Sequence, residues 1–355
     1  NAVNTITKAQ FDTMLQAVKY SNTSNTPNTG DRTITWTIND GTGNSNTPTS
    51  TITVVATNDV PTIAIAAQTP AFTEAVGDSS GSGNPQVINS VITLGDVDNV
   101  APKSAVVTIT NKQAGDALVF VDTADIQGAI TNPDGNKLVL TLTKIGVRTP
   151  TQADFETALE NVSFNNTSET PDETPREITF NIIDAAGVSS NVVTETLTVA
   201  DANDVPTIAI AAQTPAFTEV VGDSNVSTNE QVINSVITLG DLDGTAPASA
   251  VVTITNRQTG DELRFTDTTE IQGVLSANKD VLTLTKKGSE TPTQAQFEAA
   301  LESVTFNNTS ETPDETPRTI TFKIIDGAGQ DSNIVTETLT VAVANDIPVA
   351  SNDSA

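Results

Sequence analysis

The chain of 355 residues carries 44 acidic and 16 basic side chains, a formal net charge of −28 with a sequence pI of about 4.1. A surface of that sign repels nucleic-acid phosphates, so nucleic acid is not an expected partner. Cysteine and histidine are both absent, which removes disulfides, thiolate nucleophiles, the usual zinc and haem ligands and every histidine-based triad.

Hydrophobic residues make up 36% of the chain and aromatic residues only 4%. Thr is the commonest residue, and Val, Asn and Ile are abundant, a composition suited to pleated sheets and turns. No apolar run approaches the roughly 18 residues that a membrane span needs. The first residue is Asn and no charged-plus-apolar leader follows it, so any signal peptide is expected to lie outside this sequence.

From the start of the chain, Phe11, Met14, Leu15 and Val18 recur at i, i+3, i+4 and i+7, which predicts a short amphipathic helix. Ile34-Thr35-Trp36 reads as a strand and Asp40-Gly41 as a hairpin turn. The segment closes on Thr57-Asn58-Asp59-Val60-Pro61. Two side chains bearing oxygen sit there beside a proline that fixes φ and holds its predecessor extended. That describes a stiff joint carrying potential ligand oxygens.

VPTIAIAAQTPAFTE begins at Val60 and recurs 145 positions later at Val205. The joint itself returns as Ala202-Asn203-Asp204-Val205-Pro206 and as Ala344-Asn345-Asp346-Ile347-Pro348. The last joint follows the second by 142 residues, and the three-residue difference falls at Asn132–Asn136, a turn where length changes are tolerated. Phe11-Asp12-Thr13-Met14-Leu15 matches Phe155-Glu156-Thr157-Ala158-Leu159. The expected organisation is the C-terminal part of a repeat at 1–59, complete repeats at 60–204 and 205–346, and the start of another at 347–355. A 59-residue part-repeat cannot bury a core comfortably, so either the sequence is a window on a longer protein or something else completes that sheet.

Within 60–204, Leu138, Leu140 and Leu142 alternate with polar or small residues, as do Ile178, Phe180 and Ile182, and then Leu197 and Val199. Period two with one apolar face predicts half-buried antiparallel strands. Asp134-Gly135 and Asp326-Gly327 are further hairpin signals. Thr151-Gln-Ala-Asp154 reads as a capping start to a helix carrying Phe155, Ala158, Leu159 and Val162, repeated by Phe297, Ala300, Leu301 and Val304. This helix is expected to plug an open end or edge. The fold class predicted is all-β: tandem antiparallel β-sandwich repeats, each with one short helix.

Acidic features recur in phase with the joints. Glu74 and Glu219 each lie 13 residues past a joint proline. Asp96-x-Asp98 returns as Asp241-x-Asp243, and Asp172-Glu173 as Asp314-Glu315. Calcium takes six to eight oxygen ligands, largely carboxylates and carbonyls from loops, and a hard cation would offset the mutual repulsion of such a cluster. Turn-stabilising Asp and Asn, bonded to their own backbone, are the plainer account of the same residues.

This set resembles the calcium-linked repeats of cadherins, and still more the cadherin-like repeats of large bacterial surface adhesins. The resemblance implies a calcium site at the second joint built from Asp201, Asn203, Asp204, Glu219, Asp241 and Asp243, with Glu173 from the preceding repeat. At the first joint it implies Asn58, Asp59, Glu74, Asp96 and Asp98, and at the third Asn345 and Asp346. Ala56 and Thr29 replace Asp201 and Glu173 at the first joint, which is therefore poorer in acids, and the third has Val343 at the Asp201 position. The repeats are also longer than a typical cadherin repeat.

Sugar clefts are usually lined by aromatic residues, and this chain has one Trp and one Tyr, which disfavours a carbohydrate-binding or glycosidase module. No phosphate-binding glycine loop or nucleophile elbow is present. Nothing marks a lysine isopeptide cross-link. Asn166-Thr-Ser and Asn308-Thr-Ser fit a glycosylation sequon and read as solvated loop residues. The expectation is a non-enzymatic extracellular array: a calcium-stiffened spacer of a surface adhesin or matrix protein. Its partners would be neighbouring repeats of the same or identical chains, with glycans or other cells as adhesive targets. The alternative is a filament subunit that pairs the open edge of residues 1–59 with a neighbour.

Overall fold

The computed structural model describes residues 6–76, 84–220 and 229–346. Contacts divide the chain into two compact units. One comprises Asn1–Phe72, Pro85–Asn165 and Thr174–Thr198, and the other Thr73–Asn84, Asn166–Glu173 and Val199–Ala355.

The fold is all-β with a short helix in each sequence repeat. Residues 6–59 give α1 (Lys8–Gln16), β1 (Arg32–Thr35) and β2 (Thr49–Ile52), the strands forming an antiparallel pair. Next come β3 (Thr62–Ile65), β4 (Ala71–Thr73), β5 (Gln86–Val87), β6 (Ile92–Gly95), β7 (Ser104–Ile109), β8 (Asp116–Val119), β9 (Ile126–Thr131) and β10 (Leu138–Lys144). After α2 (Gln152–Glu160) follow β11 (Ser163–Asn166), β12 (Arg176–Ile183) and β13 (Val193–Ala200). These strands make a six-stranded sheet ordered β4-β13-β12-β7-β10-β9, a three-stranded sheet β5-β11-β8 and a ribbon β3-β6.

The succession then recurs. It runs through β14 (Thr207–Ile210), β15 (Ala216–Thr218), β16 (Gln231–Val232), β17 (Ile237–Gly240), β18 (Ser249–Ile254), β19 (Asp261–Arg264), β20 (Ile271–Leu275) and β21 (Val281–Lys286). It ends with α3 (Gln294–Glu302), β22 (Thr305–Asn308), β23 (Arg318–Ile325) and β24 (Val335–Ala342). The sheets are β15-β24-β23-β18-β21-β20, β16-β22-β19 and β14-β17. Pairing is antiparallel apart from short edge strands such as β15, whose Ala216–Thr218 runs parallel to Thr340–Ala342.

The alternation read from sequence sets the core. Leu138, Leu140 and Leu142 of β10, Ile178, Phe180 and Ile182 of β12, and Leu197 and Val199 of β13 are all buried. Phe72 meets Phe164 edge-on with ring centroids 5.3 Å apart, and Phe217 meets Phe306 in the same way at 5.4 Å, a favoured aromatic geometry.

The helix begins where the sequence predicts. The Thr151 side chain accepts from the Asp154 N–H while the Asp154 carboxylate accepts from the Thr151 N–H, the reciprocal capping box. Phe155, Ala158 and Leu159 are buried. The helix also finishes a sheet edge with its polar side chains. Glu156 accepts the Leu94 N–H at 2.8 Å, Glu160 accepts the Ile92 N–H at 3.0 Å, and Gln152 donates to Leu94 O at 2.6 Å. Glu298, Glu302 and Gln294 repeat this on Leu239 and Ile237. Backbone groups of β6 and β17 that would otherwise stand unpaired are thereby satisfied.

Each of the two β-rich repeats buries an ion pair. Arg176 Nε donates to Asp116 Oδ2 at 2.7 Å and Arg318 Nε to Asp261 Oδ2 at 2.6 Å, with all four side chains fully buried. The guanidinium also donates to the carbonyls of Thr174 and Thr316 respectively. Such pairs persist only where the remaining donors are also used.

The hairpin signals all lie in turns. Gly41 and Gly135 take positive φ, at 94° and 79°, as tight turns require. Asp326-Gly327 opens the turn between β23 and β24, where the left-handed residue is Gly329, with φ 88°, and the Asp326 carboxylate gathers the N–H groups of Ala328 and Gln330. One sequence expectation is corrected. The sequon residues Asn166 and Asn308 are not solvated. Both are fully buried at strand ends, and Asn308 donates to Asp261 Oδ1 at 2.7 Å.

Candidate metal centre

The chain leaves β13 extended through Asp201–Pro206, and the edge strand β4 supplies the first acidic partner. The Glu74 N–H donates to Ala200 O at 3.1 Å, which continues the backbone pairing and turns the Glu74 side chain toward the joint. Glu74 Oε2 accepts from the Ala202 N–H at 3.3 Å. Carboxylate oxygens of Glu74, Glu169 and Asp204 all lie within 4.8 Å of one another.

The Asp-x-Asp loop closes the other side. Asp204, fully buried, donates its N–H to Asp243 Oδ2 at 2.7 Å, and the Asp243 N–H donates to Asp241 Oδ1 at 2.9 Å. Asn203 Nδ2 is shared between Asp204 O at 3.0 Å and Asp326 Oδ2 at 2.7 Å. Glu173 Oε1 accepts the Asp201 N–H at 3.3 Å.

Glu74 is only 4% exposed, and its Oε1 is buried with no hydrogen-bond partner; Asp243 Oδ1 is in the same condition. Buried carboxylate oxygens without donors are costly. An oxygen-seeking divalent cation would satisfy such atoms, and the carboxylates gathered here could hold one.

The electrostatics agree. Burial pushes the Glu74 carboxyl up to about 7 from its ordinary 4.5, and Asp204, Glu169 and Asp201 add to this against the lowering bond from Ala202. Asp201 is raised by burial and by Asp243, Glu173 and Asp204. Asp241 is raised chiefly by burial, with Asp243 and Asp326 contributing. Asp326 goes the other way, because the hydrogen bonds from Asn203, Gln330, Ala328 and Gly329 outweigh its burial.

The first joint keeps the local frame but has Ala56, Thr29 and Asn25 where the second has Asp201, Glu173 and Glu169. Asn58 donates to Asp184 Oδ2 at 2.7 Å, the Asp59 N–H to Asp98 Oδ2 at 2.8 Å, and the Asp98 N–H to Asp96 Oδ1 at 2.8 Å. A cavity of about 270 Å³ beside it is lined by Asn22, Asn25, Thr57 and Asp59 among others. At the third joint Glu219, Glu311 and Asp346 form the matching triad, Ala344 donates to Glu219 Oε2 at 3.0 Å, and Asn345 bonds Asp346 O. Glu219 Oε1 is again buried without a partner.

Two assignments shift. Glu74 stands at the second joint and Glu219 at the third, each one joint later than the sequence suggests, because β4 and β15 lie along the strand that ends their own repeat. The sequence reading passed over Glu169 and Glu311. Their signal is recurrence in Asn-Asn-Thr-Ser-Glu, with Asn25 at the corresponding place in the first segment. Asp326, which anchors one joint asparagine, was read only as part of a turn, and Asp184, which anchors the other, was passed over.

No protein-family model matches the chain, and no curated protein does. Among solved structures the chain is similar to a PcdhgB3 EC1–4 fragment at 13% identity and TM-score 0.31, covering 88% of this chain and 58% of that one. Mouse clustered PcdhgC3 EC1–3 is similar at 12% identity and TM-score 0.27, covering 88% and 76%. Drosophila N-cadherin EC1–3 is similar at 9% and 0.20, covering 85% and 74%. No helix among the described residues is long and apolar enough to cross a membrane.

Proposed function

We propose that this chain is part of a non-enzymatic extracellular repeat array of the adhesin or matrix kind, whose joints bind calcium and are stiffened by it. The observation that carries the reading is the close group of Glu74, Glu169 and Asp204 carboxylates, in which the buried Glu74 Oε1 has no hydrogen-bond partner. Calcium here would be held by Glu74, Glu169, Asp204 and Asp243, with Asp201, Glu173 and Asp241 at the periphery. Fixing the extended segment at Asn203–Pro206 would turn a string of sandwiches into a spacer that holds a binding end away from its support. Neighbouring repeats are the immediate partners, and surface glycans or other cells the adhesive targets.

Calorimetric titration of the full chain with calcium tests this. Binding that is lost in Asp204→Asn while the far-ultraviolet spectrum is unchanged supports the reading. A chain that takes up no calcium at millimolar concentration refutes it.

A further inference from the structure

The segment that enters a complete repeat runs in step beside the segment that leaves it. In the second repeat Ile208 bonds Asn333, Pro215 O accepts the Thr340 N–H at 3.0 Å, and Glu219 Oε2 accepts the Ala344 N–H at 3.0 Å. Each of these pairs is 125 residues apart in the chain, and among them β15 lies parallel to β24. The first repeat keeps the pattern at Ile63–Asn191 and Pro70–Thr198, both 128 residues apart. A constant separation means that the chain enters beside the start of the last strand and departs from its end. Stretching the repeat between its joints therefore drives the two segments past one another along their length. Bonds across such a seam are loaded together, whereas a strand peeled from its end loses them one at a time. Forced unfolding follows the barrier those bonds set.

Asn333 grips the upstream end of the seam. Its Nδ2 donates to Ile208 O at 2.8 Å and its Oδ1 accepts the Ile208 N–H at 3.0 Å, so one side chain stands in for a neighbouring strand. Its loop is itself held: Ser332 Oγ accepts the Ile324 N–H at 3.0 Å and donates to Asn333 O at 2.7 Å. The same connection between β23 and β24 takes the joint asparagine, Asn203 Nδ2 donating to Asp326 Oδ2 at 2.7 Å. The entering chain is thus held on both sides of Pro206. Asn191 repeats the grip on Ile63, accepting its N–H at 3.0 Å and donating to its carbonyl at 2.8 Å.

We infer that each complete repeat is a tension-bearing element: the parallel seam of entering and leaving segments resists stretching between the joints, and Asn333, or Asn191 in the first repeat, locks the seam's upstream end. This deepens the spacer reading above and rests on it for its use, since a spacer under load must not open. The seam itself is a property of the repeat without calcium. A test in chelator therefore separates the two, because a weak seam leaves the calcium joint standing and a joint without calcium leaves the seam standing.

The chain has no cysteine, so introduced cysteines are unique handles for single-molecule stretching of the full chain. Val205→Cys with Val343→Cys, both exposed, pull along the seam of the second repeat. Thr269→Cys with Lys287→Cys, also exposed, sit at the open end of the β20–β21 hairpin and peel it instead. At one constant load in chelator, the repeat should last about tenfold longer or more with the joint handles than with the hairpin handles. Asn333→Ala should shorten the joint-handle lifetime about tenfold and leave the hairpin-handle lifetime unchanged. Asn191→Ala, in the repeat that carries no load, should change neither. Equal lifetimes with the two pairs of handles overturn the seam, and that comparison needs no Asn333 variant. A joint-handle lifetime indifferent to Asn333→Ala, or one shortened by the same factor with both pairs, overturns the role of Asn333.

Discussion

Glu74 stands beside Asp204, the aspartate of the joint at the far end of its own sequence repeat, and reaches it through the Ala202 N–H. The edge strand β4 therefore carries an acid from the start of one repeat to its end. Replacing Glu74 by Gln should weaken calcium binding about tenfold or more, since a primary anionic ligand is lost. The same substitution should raise the melting temperature of the calcium-free protein by removing a buried, repelled charge. Calorimetric titration and a thermal melt in chelator check the two halves.

The pH dependence has a definite sign. Glu74 is raised to about 7 in the folded chain, from about 4.5. Its protonated form thus stabilises the calcium-free fold fully below about pH 4.5, and that contribution is lost as the pH rises toward 7 and beyond. Asp201 and Asp241 shift in the same direction. Denaturant unfolding in chelator should show stability falling across this window from these groups. In saturating calcium the fall should shrink or reverse, because the metal requires the deprotonated carboxylates.

The joints should not be equivalent. Asp243→Asn removes a proposed ligand from the acid-rich second joint and should lower the calcium stoichiometry of the chain. Asp98→Asn, at a joint where Asn25 and Thr57 stand among the lining residues, should leave the tight-binding stoichiometry unchanged. Equilibrium dialysis with labelled calcium separates these outcomes.

The buried Arg176–Asp116 pair predicts a mutational asymmetry. Arg176→Met alone leaves Asp116 buried without its cation and should cost about 3–5 kcal/mol in urea unfolding. The double variant Arg176→Met with Asp116→Leu should recover most of that loss.

Most of the architecture was legible because its signals are local. Period-two alternation at Leu138–Leu142 and Ile178–Ile182, and the Thr151–Asp154 capping box, depend on neighbours a few residues apart, and each element formed where its pattern lies. The joint and the Asp-x-Asp loop were legible as features recurring in phase, and the structure brings Asp204 and Asp243 together. Glu74 was placed at the wrong joint because proximity in sequence suggested Pro61, whereas strand pairing carries it to Ala200. Glu169 was passed over because nothing within its loop shows that the loop folds onto Asp204. Asn166 and Asn308 read as surface residues for the same reason: their burial comes from strand neighbours far away in the chain.

The central claim is tested most directly by a crystal structure of the chain grown in millimolar calcium. The account predicts a calcium ion roughly 2.3–2.6 Å from oxygens of Glu74, Glu169, Asp204 and Asp243. Density showing only water there, with Glu74 hydrogen-bonded as a neutral carboxyl, would contradict it.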